Sequence, residues 1–289
     1  MKKEIAKEDR TCPLMVAVRG AGDLATGTIW CLHQCGYRVL ATEIPRPSAI
    51  RRSVAFSEAI YDGIAVVENV TARRVGNLKE AESVWERGEV PVIADPVLEQ
   101  ALQAKPDILV DAAIAKRNLG TRREMAPLVI ALGPGFTAGE DTDVVIETNR
   151  GHDLGRLIFE GSAQPNTGVP GLIAGYGKER VLHSPGEGIF FPAAKIGDIV
   201  EKGDLIARVG REPVYASISG LVRGILRDGY EVTEHFKIAD IDPRIDRKAN
   251  CFTISDKARA IAGGVLTAIC MWQAGSITDP PHQTQYFRG

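Results

Sequence analysis

The sequence predicts an α/β fold: a Rossmann-like, doubly wound parallel sheet, then a small all-β module, then a C-terminal helix. Three observations predict it. Short apolar runs alternate with helical stretches through the first half. The first run ends in the glycine turn Gly20-Ala21-Gly22. After Lys178 the texture becomes short strands and spaced glycines, repeating at about 32 residues (Gly188 to Gly220, Gly197 to Gly229). The expected divisions are 14–177, 178–250 and 251–275.

The elements follow in order. Met15–Arg19 is a strand, and a helix from about Leu24 to Cys35 stops at Gly36, a residue suited to a helix end. Tyr37–Ala41 is the next strand. Strand, glycine turn, helix and strand make a right-handed crossover of a parallel sheet. Ile64–Val67, Val90–Ala94, Ile108–Val110, Leu128–Leu132 and Val144–Ile146 are further strands. Val70–Glu86 contains a helical stretch, and Val97–Ala104 is helical. The segment from Ser255 to Ala274 is a helix that Ser255 caps, and its stripe of Ile261, Val265, Ile269 and Met271 needs a surface to cover.

The repeat pairs Lys195 with Arg227, Val200 with Val232, Ile206 with Ile238 and Ala207 with Ala239. It resembles the biotinyl/lipoyl barrel-sandwich hybrid. That family modifies a lysine between its two halves. Here no lysine occurs between Lys202 and Lys237, and the expected tip reads Gly210-Arg211-Glu212-Pro213. Neither biotin nor lipoate is expected; a structural or docking module is.

Composition narrows the function. The 289 residues are 44% hydrophobic and 25% charged, ordinary for a globular protein long enough for two domains. A net charge of -2 gives no electrostatic footprint for nucleic acid and no polybasic membrane patch. No stretch reads as a signal peptide or a membrane span, so a cytoplasmic protein is expected. The 5 cysteines (Cys12, Cys31, Cys35, Cys251, Cys270) are scattered and imply no disulfide framework. Cys31 and Cys35 flank His33, but helical spacing turns His33 away from them. They read as core cysteines, and no metal site is expected.

The glycine turn carries the strongest chemical signal. Gly20 permits the turn, Gly22 lets backbone approach a phosphate, and Ala25 allows close helix packing. The helix N-terminus offers free N–H groups and partial positive charge. Ala21, Asp23 and Thr26 belong to the same end, and an anion there must avoid Asp23 or reach it through a cation. Glu43 ends the second strand, where dinucleotide-binding folds hold a ribose hydroxyl. Arg46 and Arg51 follow on a basic loop able to clamp an anion. Gly133 and Gly135 form a second turn at the presumed cleft. These ten residues are the candidate site for a nucleotide-containing ligand. The strand-end acids Asp95, Asp111 and Glu147 read as ordinary loop charges. His152 beside Asp153 invites a general-base reading, but neighbours on a loop seldom face each other.

Five stretches then point to a family: Val18–Gly27, Ala49–Tyr61, Glu147–Arg156, Asn166–Gly171 and Lys237–Arg244. From Leu14 to Ala274 the chain resembles the selenium-dependent molybdenum hydroxylase system protein family (YqeB-type). Its first half is similar to the Rossmann domain of xanthine dehydrogenase accessory (XdhC-type) proteins. The resemblance implies an accessory role in maturing molybdenum hydroxylases, with such an apo-enzyme as partner and the molybdenum cofactor, in dinucleotide form, as ligand. It transfers no catalytic residue. Two alternatives stand beside it: an NAD(P)-dependent oxidoreductase, favoured toward NAD by Glu43, and a non-catalytic assembly scaffold.

Overall fold

A computed structural model describes residues 13–166, 168 and 171–277. The first region runs β1 (Met15–Arg19), α1 (Asp23–Gln34), β2 (Arg38–Glu43), α2 (Ala59–Asp62), β3 (Ile64–Val67), β4 (Val70–Val75) and α3 (Leu78–Glu86). It continues with β5 (Val90–Ala94), α4 (Glu99–Gln103), β6 (Ile108–Asp111), β7 (Leu128–Leu132), β8 (Val144–Ile146) and β9 (Leu157–Ile158). The strands form one nine-stranded sheet in the order β3-β4-β5-β2-β1-β6-β7-β8-β9.

That sheet is mixed, which corrects the expected doubly wound parallel Rossmann-like fold. β4 through β8 run parallel in the sheet's order, but β3 is antiparallel to β4 and β9 is antiparallel to β8. Connection length is the reason. Only Glu68 and Asn69 separate β3 from β4, too little for the crossover that parallel neighbours need. β4 occupies residues that read as the start of a helical stretch. The β6–β7 link holds only the short 3-10 turn Arg123–Met125, so no α-helix covers the sheet there.

The C-terminal helix fills that gap. The alternating residues Val16, Val18, Ile108, Val110, Ile130 and Ile146 face one side of the sheet. α1 lays Ala25, Ile29 and Leu32 on it, and α5 (Asp256–Gln273) lays Ala258, Ile261, Val265 and Ile269 beside them. Leu40, Ile93, Leu109 and Val129 face the other side, against Ala81 and Val84 of α3 and Ala101 of α4. α1 and α5 lie parallel. A Cβ on Gly27 would stand 2.8 Å from that of Ala258 near their starts, and Tyr37 Oη bonds Gln273 Oε1 at 3.1 Å at their ends.

The small region also departs from the expected barrel-sandwich hybrid. β10 (Val181–His183), β11 (Gly188–Pro192), β12 (Ile199–Val200), β13 (Leu205–Val209), β14 (Glu212–Tyr215), β15 (Gly220–Ile225), β16 (Glu231–Val232) and β17 (Lys237–Asp242) make two antiparallel sheets of four. Their orders are β10-β17-β15-β12 and β14-β13-β11-β16. The repeat has a structural meaning: β11, β12 and β13 recur as β15, β16 and β17, and each copy lends its middle strand to the other's sheet. Among the described residues no helix is long and apolar enough to cross a membrane.

Candidate functional site

The glycine turn sits where β1 hands over to α1. Gly22 is the N-cap of α1, in ordinary extended backbone (φ −69°), and no side chain caps the helix there. α3 and α5, by contrast, are capped by Asn77 and Ser255. The first N–H groups of α1 therefore face outward, where helix partial charge favours an anion.

The turn's other glycines have different work. A Cβ on Gly20 (φ +95°) would come within 3.0 Å of Ala112 O. One on Gly135 (φ +108°) would come within 2.6 Å of Arg117 backbone, and one on Gly133 (φ +78°) within 2.5 Å of Thr148 Oγ1. Each admits this chain's own atoms. The loop from Ala112 to Arg117 thereby touches both turns. At Gly22 a Cβ would meet nothing within 4 Å. Open space lies at this position alone of the four.

Glu43 reaches back to the turn. Its carboxylate accepts from Ala21 N–H at 2.9 Å and Ile44 N–H at 2.8 Å, and burial raises its pKa. Each oxygen keeps a further lone pair for a ligand hydroxyl. Thr26 lies beneath the turn, fully buried; its hydroxyl bonds Ala21 O and accepts from Phe56 N–H. Asp23 turns aside to Arg51, which holds both carboxylate oxygens at 2.9 and 3.0 Å. Arg51 also donates to Asn250 O and Thr253 O, so it ties α1 to the segment before α5. Arg46 is elsewhere: exposed, 5.6 Å over the Tyr230 ring and 3.8 Å from Glu231. The structure thus gathers Gly20, Ala21, Gly22, Asp23, Glu43 and Arg51, sets Gly133 and Gly135 on the adjoining turn, and leaves Arg46 apart.

The strand-end acids are structural ties rather than loop charges. Asp95 accepts from Glu99 and Ala101 N–H groups, holding the start of α4. Asp111 binds Arg19 at 3.3 Å and Thr121 at 2.6 Å. Glu147 accepts from Asn149 and Gln164 N–H groups. His152 is exposed, and Asp153 pairs with Arg156 at 3.0 Å.

Sequence reading missed three cations. Arg223 of β15, Lys237 of β17 and Lys257 of α5 all lie within electrostatic range of Asp23. The acids around them are committed: Asp23 to Arg51, Asp240 to Arg180 at 2.6 Å, Asp242 to Arg244 at 2.6 Å, and Asp256 to Arg150 at 2.8 Å. Among the described residues neither lysine has an ion-pair partner. Burial lowers the pKa of both; Arg180 and Arg223 press Lys237 further down, and Arg150 does so for Lys257. Two signals were available. A lysine in a helix's first turn opposes the dipole, and an arginine inside the apolar strand Gly-Leu-Val-Arg-Gly-Ile needs a buried partner. A separate depression of 600 Å³, lined by Leu102, Asp107, Arg122 and Met125, opens at the amino ends of β6 and β7 and holds none of these groups.

No family model matches the chain. Solved structures it resembles include the product-bound ectoine utilization protein EutE (DoeB) from Ruegeria pomeroyi, an aspartoacylase family protein from Mesorhizobium loti and a succinylglutamate desuccinylase from a Silicibacter species. Identities are 16%, 14% and 15%; coverage is 70%, 80% and 80% of this chain and 57%, 85% and 85% of theirs; TM-scores are 0.23, 0.28 and 0.24. The comparisons do not bear out the expected maturation role or its oxidoreductase alternative, and at such TM-scores no activity is carried over in their place. A curated relative is far nearer. The chain is 50% identical over 257 residues, 89% of its length, to YqeB of Escherichia coli (strain K12), described as an uncharacterized protein. It spans about half that relative, 47% of the length. The likeness supports a YqeB-type family for this chain.

Proposed function

We propose that the chain binds a phosphate-bearing small molecule, of the nucleotide class, where the uncapped start of α1 meets α5 and the β15–β17 strands. One observation carries the reading. Nearby acids are already held by an arginine or by backbone, while Lys237 and Lys257, with no ion-pair partner among the described residues, lie within electrostatic range of Asp23, the residue after the open Gly22. Crowded cations without counter-charge are costly, and an anionic ligand removes that cost. The α1 N–H groups add directional donors, and Glu43 offers free lone pairs at the neighbouring position for a hydroxyl.

Calorimetric titration of the full chain with ADP and with inorganic pyrophosphate tests this. Both bind with one-to-one stoichiometry, and added salt weakens both. Lys237→Met and Lys257→Met each lower the affinity by about tenfold, or about 1.4 kcal/mol. The absence of binding by either probe at millimolar concentration contradicts the reading.

A further inference from the structure

We propose that Cys31 and Cys35 form a two-thiolate site for a soft d10 metal ion of the copper(I) class, at the opposite end of the α1–α5 pair. The cysteines stand four residues apart, Cys31 in the last turn of α1 and Cys35 as its C-cap, so their side chains are neighbours on one face. The two thiols lie within electrostatic range of each other. The sequence read them as core, but Cys31 is only half-buried and Cys35 is exposed. The parallel packing brings the end of α5 alongside, where the exposed Cys270 lies within range of the same Tyr37 ring as the other two thiols.

Among the described residues no group of three or more His, Cys, Asp or Glu side chains is placed to enclose a metal ion, so the pair is the unit. Two soft donors side by side suit an ion content with two sulfur ligands and exclude hard cations, which need several oxygens. The C-terminus of α1 carries partial negative charge, which favours a cation. Burial, with Cys35 adjacent, pushes the Cys31 thiol up to about 11. Cys31 stays protonated until a metal displaces its proton. On binding, two S–H bonds break, two S–Cu bonds form, and two protons pass to solvent. Copper enters and stays as copper(I). Arg259, which pairs with Glu68 at 2.6 Å, lies within electrostatic range of Cys31.

The test is an anaerobic titration of the reduced full chain with copper(I), against a chromophoric copper(I) chelator as competitor. One equivalent binds tightly, and Cys31→Ser and Cys35→Ser each abolish that equivalent. Because Cys35 is exposed, Cys35→Ser keeps the fold, which circular dichroism verifies. Unchanged copper(I) affinity in Cys35→Ser, or no uptake in competition by the unaltered chain, overturns the proposal. Pyrophosphate titration of the same samples is a separate readout and does not bear on it.

Discussion

The two ends of the α1–α5 pair share one backbone arrangement and carry opposite chemistry. At the amino ends, Gly22 leaves α1 uncapped and Arg223, Lys237 and Lys257 crowd toward Asp23. At the carboxyl ends, cysteines and the Tyr37–Gln273 bond replace them. The support differs too. Arg51 pins the amino end to the Asn250 and Thr253 carbonyls, whereas Cys35 and Cys270 are exposed. The two parallel helices start level with each other, so their partial positive charges add at the amino end, and the cations there need an anion to balance them.

The largest effect comes from breaking the pair itself. In an open helix Gly→Ala gains about 1 kcal/mol, from propensity. At Gly27 the new methyl would lie 2.8 Å from Ala258 Cβ and 2.9 Å from its carbonyl oxygen. Overpacking there costs about 3 kcal/mol and wins, so Gly27→Ala destabilises. Gly263, on α5, has nothing within 4 Å of a Cβ, and Gly263→Ala stabilises. Urea unfolding of the two variants reads opposite signs. Equal signs would mean that the helices do not pack through Gly27.

A smaller effect isolates the start of α5. The Arg150 guanidinium lowers the Asp256 carboxyl from its ordinary 3.8 to about 2. A depressed carboxylate adds stability that is fully present above the unfolded value and lost as pH falls through the folded one. Asp256→Asn therefore lowers the melting temperature slightly at neutral pH, and the gap closes between about pH 4 and pH 2. The side chain is 73% exposed, so the gap is small. A gap that persists at pH 2 would show that the pair is not its source.

Much of this contrast was legible in the sequence, unevenly. Ile64–Val67, Val90–Ala94, Leu128–Leu132 and Val144–Ile146 are strands with the bounds their apolar runs suggest. Strand direction was not readable. The β3–β4 turn uses Glu68 at φ +53°, without the Asn-Gly signal that marks most tight hairpins. β4 itself, Val-Thr-Ala-Arg-Arg-Val, is made a strand by β3 and β5 on either side rather than by its own pattern. The glycine turn was legible because its residues are adjacent. Its cations were not, because they come from β15, β17 and α5, and only the fold returns them to Asp23. Nor could local sequence tell a glycine that admits a ligand from one that admits its own chain. Gly20, Gly133 and Gly135 proved to be the second kind.

Gly22 is therefore where the central claim meets its most direct measurement. Its backbone suits any residue and a Cβ there meets nothing, so Gly22→Asp keeps the fold. Aspartate is a preferred N-cap, better than glycine by a few tenths of a kcal/mol, and its carboxylate would take the N–H groups assigned to the ligand. Pyrophosphate titration of Gly22→Asp, beside its melting temperature, decides the matter. The account predicts a chain at least as stable as the original that no longer binds pyrophosphate; a stable variant with unchanged affinity would contradict it.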